Sequence, residues 1–240
     1  MSTLLFGSFP YLCLASFILG HIWRYRYDKF GWTSRSSQMY EEKILSVGSP
    51  LFHYGILAVF AGHFLMLVPE DLTQKLGVSN ETYHLMAEGP GSIAGLAAIV
   101  GLAILAIRRG VTLSVLKATS RMDYVMYVLL GVIVVLGMYN TVLVNVMGAG
   151  HDYRLDIAPW FRSIFVGQPD VALMAAAPLS FQLHDLVAIT IFAIWPYTRL
   201  VHVWSVPLAY IARPYVVYRT KDEHRGARKP RRGWGDKSGF

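Results

Sequence analysis

The sequence predicts an all-α integral membrane protein, a bundle of five transmembrane helices with the N-terminus outside and the C-terminus cytoplasmic. Three observations predict it. Only 15% of the 240 residues are charged and 54% are apolar, where a soluble domain carries about 25% charged residues. The apolar residues gather into five uncharged runs of spanning length. The Lys and Arg residues fall on alternate sides of those runs, as the positive-inside rule requires.

The first span is expected over Leu4–Tyr25. No basic leader precedes it, so it is expected to be retained rather than cleaved. The second is read over Pro50–Val68 and the third over Gly91–Ile107, its outer boundary blurred by the Gly-Pro-Gly at 89–91. The fourth covers Asp123–Val146, with Asp123 as its cap. The fifth covers Ser180–Trp204. The loop after span one holds Arg24, Arg26, Lys29, Arg35 and Lys43; Arg108, Arg109, Lys117 and Arg121 follow span three; Arg199 and the tail hold ten more. Lys75, Arg154 and Arg162 stand on the other side. The division is 19 (5+4+10) against 3 (1+2), which puts the odd-numbered loops inside.

Residues 1–218 form the expected membrane domain. Residues 219–240, with RGARKPRRGWGDK, read as a disordered basic cytoplasmic tail within reach of anionic lipid headgroups. The net charge of +7 is therefore a topology signal and not one for nucleic acid. The single cysteine, Cys13, excludes an internal disulfide, a covalent CxxCH haem attachment and a four-cysteine iron–sulfur site. The long outer loop Met147–Leu179 is expected to form a small cap or lip.

Ionisable side chains inside spans default to a functional reading. His53 and His63 lie near the two ends of span two, and His184 and His202 near the two ends of span five. Depth pairs His63 with His184 on the outer side and His53 with His202 on the inner side. His184 and His202 are five turns apart and share a helix face, whereas His53 and His63 are about 80° out of phase. Ten residues rise about 15 Å and eighteen about 27 Å, so straight parallel helices cannot hold both pairs level. Pro196 clashes with the Phe192 carbonyl and is expected to kink span five between its two histidines. Two stacked haems, each between two imidazoles, fit this pattern. A zinc or copper site, or a packing or proton-path role, remains the alternative. His21, His84, His151 and His224 read as packed or solvated.

At these residues the chain resembles the gamma subunit of the membrane-bound respiratory nitrate reductase. The matching stretches are SSQM at Ser36–Met39, LFHYGIL at Leu51–Leu57, FAGHF at Phe60–Phe64 and RLVHVWSVP at Arg199–Pro207. The long outer loop, with GAGHDYR and APWFR, resembles the actinobacterial branch. The resemblance implies a five-span cytochrome b of the cell membrane with two non-covalent haem b. His63 and His184 are then axial ligands of the outer haem iron, and His53 and His202 of the inner one. It implies quinol oxidation, of menaquinol or ubiquinol, beside Gly62 and His63. Electrons pass from the outer to the inner haem and on to an iron–sulfur beta subunit and a molybdenum-containing alpha subunit on the cytoplasmic side, and protons leave outside. Some family members carry a lysine before span three; this chain reads ETYHLMAEGPG there, with His84 and Glu88 as proton acceptors. Arg35 and Arg199 are candidates to pair with haem propionates, Asp185 to relay a proton, and Trp204–Tyr218 to anchor at the interface or dock a partner. A cytochrome b subunit of a formate dehydrogenase or hydrogenase, or a non-redox scaffold, is the rival reading.

Overall fold

The computed structural model describes residues 1–33, 36–65 and 67–205. Arg35, residues 206–218 of the aromatic run and the tail 219–240 lie outside the described residues. Among those described, the regular elements are helical. Five helices are long and apolar enough to cross a membrane: Thr3–Tyr27, Lys43–Leu65, Glu81–Val111, Arg121–Val146 and Leu179–Tyr197. In chain order the α-helices are α1 (Phe9–Tyr27), α2 (Lys43–Leu65), α3 (Glu70–Lys75), α4 (Asn80–Val111), α5 (Leu113–Lys117), α6 (Arg121–Met138), α7 (Ile157–Phe165), α8 (Val171–Ala176) and α9 (Leu179–Ile194).

Two spans start earlier than expected. α2 begins at Lys43 rather than Pro50, because the Glu41 carboxylate accepts the backbone N–H of Ile44 at 2.7 Å and of Leu45 at 3.3 Å. Those donors of the first turn are otherwise orphans. α4 begins at Asn80 rather than Gly91, with the Ser79 side chain accepting the Thr82 N–H. Its 32 residues reach about 48 Å, well beyond a bilayer core of about 30 Å. Arg108 and Arg109 close its C-terminal end, so its first turns project past the opposite edge of such a core.

Helices α2 and α4 run antiparallel along a seam of glycines. A Cβ on Gly55 would stand 2.6 Å from the Ala98 nitrogen and 2.8 Å from the Ala94 oxygen; one on Gly101 would overlap the Phe52 backbone; one on Gly48 would meet Ile104. Only glycine permits that approach, which gives the van der Waals contact that holds helices together in lipid. The seam also fixes the register. Continuing it two turns outward from Gly55 sets His63 level with Glu88 and Gly89 on α4.

Span five breaks where Pro196 demands it. The Phe192 carbonyl takes the Trp195 N–H instead, and two 3₁₀ turns, Trp195–Tyr197 and Arg199–Val203, flank an extended Thr198. In lipid every freed backbone group must be satisfied. The buried Arg24 guanidinium donates to the Pro196 carbonyl, the Trp195 indole N–H to the Leu200 carbonyl at 2.8 Å, and the Thr198 hydroxyl to the Trp195 carbonyl at 3.0 Å.

The outer loop folds into α7 and α8, which pack Trp160, Ile164 and Met174 against Phe6 and Phe181. The fully buried Trp160 donates its indole N–H to the Phe6 carbonyl at 3.0 Å. The expected cap is thus a folded plug on the N-terminal ends of the first and fifth spans.

Candidate functional site

The structure brings the four span histidines together as two pairs. The rings of His63 and His184 lie 6.2 Å apart, centre to centre, and nearly parallel at 20°. Those of His53 and His202 lie 6.0 Å apart at 69°. The rise mismatch disappears at Pro196. Helix α9 continues unbroken from His184 only to Ile194, ten residues, the same interval as His53 to His63. The remaining eight residues to His202 are spent in the hydrogen-bonded turns beyond.

Three of the four rings have a fixed orientation. Nδ1 of His53 bonds the Ser49 carbonyl at 2.7 Å, Nδ1 of His63 the Val59 carbonyl at 2.7 Å, and Nδ1 of His202 the Arg199 carbonyl at 2.6 Å. A carbonyl only accepts, so each Nδ1 carries the proton and each Nε2 presents a lone pair. That is the tautomer and second-shell bond of a metal-ligating histidine. His184 differs: its Nδ1 is buried without a well-formed hydrogen bond. Its ring is placed by packing instead, 3.1 Å from where a Cβ on Gly137 would stand.

The residues fit an iron held in a macrocycle. A separation of 6.0–6.2 Å accommodates two metal–nitrogen bonds of about 2 Å plus the reach from each ring centre to its nitrogen. Among the described residues no three His, Cys, Asp or Glu side chains gather as a metal cage. Each pair supplies two ligands and no more, the requirement of a bis-histidine haem. His53 and His63 are exposed on the chain alone, and an uncovered imidazole in lipid is costly. At Gly62, Gly89 and Gly91 a Cβ would meet nothing within 4 Å, so the helix surfaces are open at those positions.

The remaining candidates are placed as follows. His84 and Glu88 lie one turn apart on α4 and line a cavity of about 370 Å³ with Ala149, Gly150, His151 and Asp152. Arg199 pairs with Asp123, at 2.6 Å from Nε to Oδ1 and 3.0 Å from the terminal nitrogen to Oδ2. Asp123 is not the cap itself. Ser120 caps α6, and Asp123 is the reciprocal member of its capping box, accepting the Ser120 N–H at 2.8 Å. Asp185 is part-buried, with Asp156 the charged group acting on it. His21 packs among Phe17, Trp32 and Trp204.

Four arginines that sequence reasoning read only as topology signals are buried, Arg24, Arg108, Arg109 and Arg154. Arg108 is 2% exposed. It donates to the Ser37 hydroxyl and carbonyl, each at 2.9 Å, to the Glu41 carboxylate at 2.6 Å and to the Glu41 carbonyl, tying the SSQM stretch to the end of α4. Burial would raise the Glu41 carboxyl, but the Ile44 and Leu45 N–H groups and Arg108 hold it below its ordinary range. Arg154 lies 4.4 Å over the Tyr83 ring, pairs with Asp152 at 2.8 Å and reaches His84 Nε2 at 3.1 Å. The partners of Arg108, and His84 beside Arg154, are 67 to 71 residues away in sequence, whereas Asp152 is two away. A lone arginine next to a span reads only as a topology signal; the SSQM motif was the one available hint.

Comparison with known proteins places this arrangement. Residues 2–221 match the family model of the nitrate reductase gamma subunit. The chain is 45% identical over 219 residues to the nitrate reductase gamma chain of Bacillus subtilis, covering 91% of this chain and 98% of that one. It is 30% identical over 218 residues to the respiratory nitrate reductase 1 gamma chain of Escherichia coli, covering 90% and 96%. It is 44% identical over 236 residues to the nitrate reductase-like protein NarX of Mycobacterium tuberculosis, covering 98% of this chain but only 36% of that protein. The chain thus spans about a third of the mycobacterial relative, and level identities to the Bacillus and mycobacterial proteins assign no branch. With a family-model match over nearly its whole length and two gamma chains aligned end to end, the chain belongs to the nitrate reductase gamma subunit family.

Proposed function

We propose that the chain is the quinol-oxidising electron-transfer subunit of a respiratory nitrate reductase in the cell membrane. It is not itself catalytic toward nitrate. The observation that carries this reading is the pair of facing imidazole couples, one toward each end of the bundle. In this reading His63 and His184 hold the outer haem b and His53 and His202 the inner one. A haem iron between two imidazoles supplies one-electron transfer and keeps no position open for oxygen.

The chain's own groups set the rest. The Nδ1 bonds of His53, His63 and His202 hold each Nε2 toward its site. Gly62, Gly89 and Gly91 leave room beside His63 for a quinol head, menaquinol or ubiquinol. Glu88, level with His63, takes a proton from the quinol hydroxyl, and His84 stands one turn further out. The 19 to 3 division of basic residues supports an outer N-terminus, a cytoplasmic C-terminus and proton release outside. The inner surface then faces the partners, an iron–sulfur beta subunit and a molybdenum-containing alpha subunit. The family relationship supports such a complex.

Pyridine haemochrome analysis of the purified chain tests the reading. Two haem b per chain is the expected outcome; one or none would sink it.

A further inference from the structure

The outer polar cluster goes beyond electron transfer. The antiparallel register sets Glu88 level with His63, and the length of α4 carries His84 past the membrane edge. His84 Nδ1 stands 3.9 Å from Glu88 Oε1, and its Nε2 3.5 Å from Asp152 Oδ2. The side chains of Glu88, His84 and Asp152 keep 24–30% of their surface exposed to the cavity, whereas Arg154 keeps 2%. The groups therefore march outward from the level of the quinol site to an open cavity of about 370 Å³.

We propose that Glu88, His84 and Asp152 form the proton-release station of quinol oxidation, with Arg154 as its positioning residue. This rests on the quinol-oxidising reading above. Each quinol loses two protons as its O–H bonds break and becomes quinone as two electrons leave toward the His63 side. A released proton passes to the Glu88 carboxylate, then through cavity water to His84, then to the outer solvent.

The hydrogen-bond polarity decides where His84 takes its proton. Arginine can only donate, so His84 Nε2 accepts from Arg154 and the neutral ring carries its proton on Nδ1, facing Glu88. A second proton adds at Nε2, where Asp152 Oδ2 lies close enough to take over from Arg154. The imidazolium then stands between two carboxylates, Glu88 and Asp152, which offset its charge and that of the Arg154 guanidinium. Arg154 meanwhile holds Asp152 through its Nε at 2.9 Å and its terminal nitrogen at 2.8 Å, clamped over Tyr83. Tyr153 closes the far side, its hydroxyl on that of Tyr83 at 3.2 Å. Burial pushes the Tyr153 phenol well up, so it stays neutral. Glu70 also acts on Arg154, and His151 is occupied by Asp156 at 3.0 Å.

The test uses the whole complex in membranes. Haem reduction by quinol is followed by stopped flow across pH, in the unaltered protein, His84→Gln and Asp152→Asn. His84→Gln should slow quinol oxidation on the order of tenfold, within what a positioned proton-transfer group contributes. It should leave the haem bands unchanged and flatten the acid limb of the rate–pH profile. Added imidazole, small enough for the cavity, should restore much of the rate. Asp152→Asn removes a charge that favours the imidazolium, so the acid limb should move to lower pH. Unchanged rates and profiles in both variants, or slowing that imidazole does not relieve, would overturn the station. If His84→Gln fails to assemble, Asp152→Asn decides alone: a shifted acid limb supports the station and an unshifted one overturns it. If quinol fails to reduce the unaltered complex, the functional reading falls and the station with it.

Discussion

The outer and inner histidine pairs differ in how the span-five member of each is held. His63 and His184 sit on two unbroken helices, rings nearly parallel at 20°, and His184 is placed by packing against Gly137. His53 and His202 face each other at 69°, and His202 lies beyond a break in its span, carried on a 3₁₀ turn. His63 and His53 are held alike, by the Val59 and Ser49 carbonyls; the contrast lies in their partners, His184 set by packing and His202 by hydrogen bonds. The Arg199 carbonyl fixes His202 Nδ1, Asp123 fixes the Arg199 guanidinium, and Arg24 satisfies the Pro196 carbonyl at the break. Ring placement therefore depends on shape at one end and on buried charge at the other, and substitutions should separate the two.

The largest separation comes from the ligands. His63→Ala or His184→Ala should leave one haem b per chain and abolish quinol oxidation. His202→Ala should also leave one, with the outer haem still reducible by quinol and onward transfer blocked. Redox-titrated difference spectra identify which haem is lost. If His53→Ala and His184→Ala deplete the same haem, the pairing by depth is wrong.

The next effect isolates the inner pair. Asp123 is 2% exposed and fully engaged. Asp123→Ala removes the carboxylate that holds Arg199 through two nitrogens, at a cost of about 3–5 kcal/mol for a broken buried pair. The inner haem should be lost or shifted in potential while the outer spectrum is retained. Equal depletion of both would mean that Asp123 serves the bundle as a whole.

Gly137→Val makes the converse test. The added side chain presses on the His184 ring, and overpacking of this kind costs about 1–3 kcal/mol. Heat release of haem, followed by absorbance, should show the outer haem leaving at lower temperature and the inner one unmoved.

These contrasts also show what a sequence discloses. The four histidines were legible because an imidazole in an apolar run is costly and so conspicuous. Their pairing followed from depth alone, and the break followed from Pro196. The outer boundary of span three was not legible. Gly-Pro-Gly is punctuation by local rules, yet α4 runs through it, because Ser79 caps the helix far upstream and Tyr83 is buried at 5% exposure beneath Arg154. Local propensity lost to tertiary contact. The Arg108 and Arg154 anchors were hidden for a related reason: nothing local says that a boundary arginine turns inward to a loop some seventy residues away.

Acidification gives the smallest and most graded comparison, because each end carries one depressed carboxyl outside its spans. At the outer end burial would raise Asp152, but Arg154 holds it below its ordinary range. At the inner end the Ile44 and Leu45 N–H groups and Arg108 do the same for Glu41. A carboxyl whose native value lies below its unfolded one stabilises the fold above the unfolded value, about 3.9 for Asp and 4.3 for Glu. That contribution is lost as pH falls through the native value. Neither end should change between neutrality and about pH 5. Below that the ends should part. Protonating Glu41 leaves Arg108 still bonded to the Ser37 hydroxyl and carbonyl and to the Glu41 carbonyl, acceptors that do not titrate. Protonating Asp152 removes a carboxylate charge that Arg154 holds through two nitrogens. Hydrogen–deuterium exchange at stepped pH should therefore show residues 147–156 losing protection before residues 36–45. Loss in the reverse order would show that the inner loop depends on the Glu41 charge more than on the neutral acceptors around Arg108.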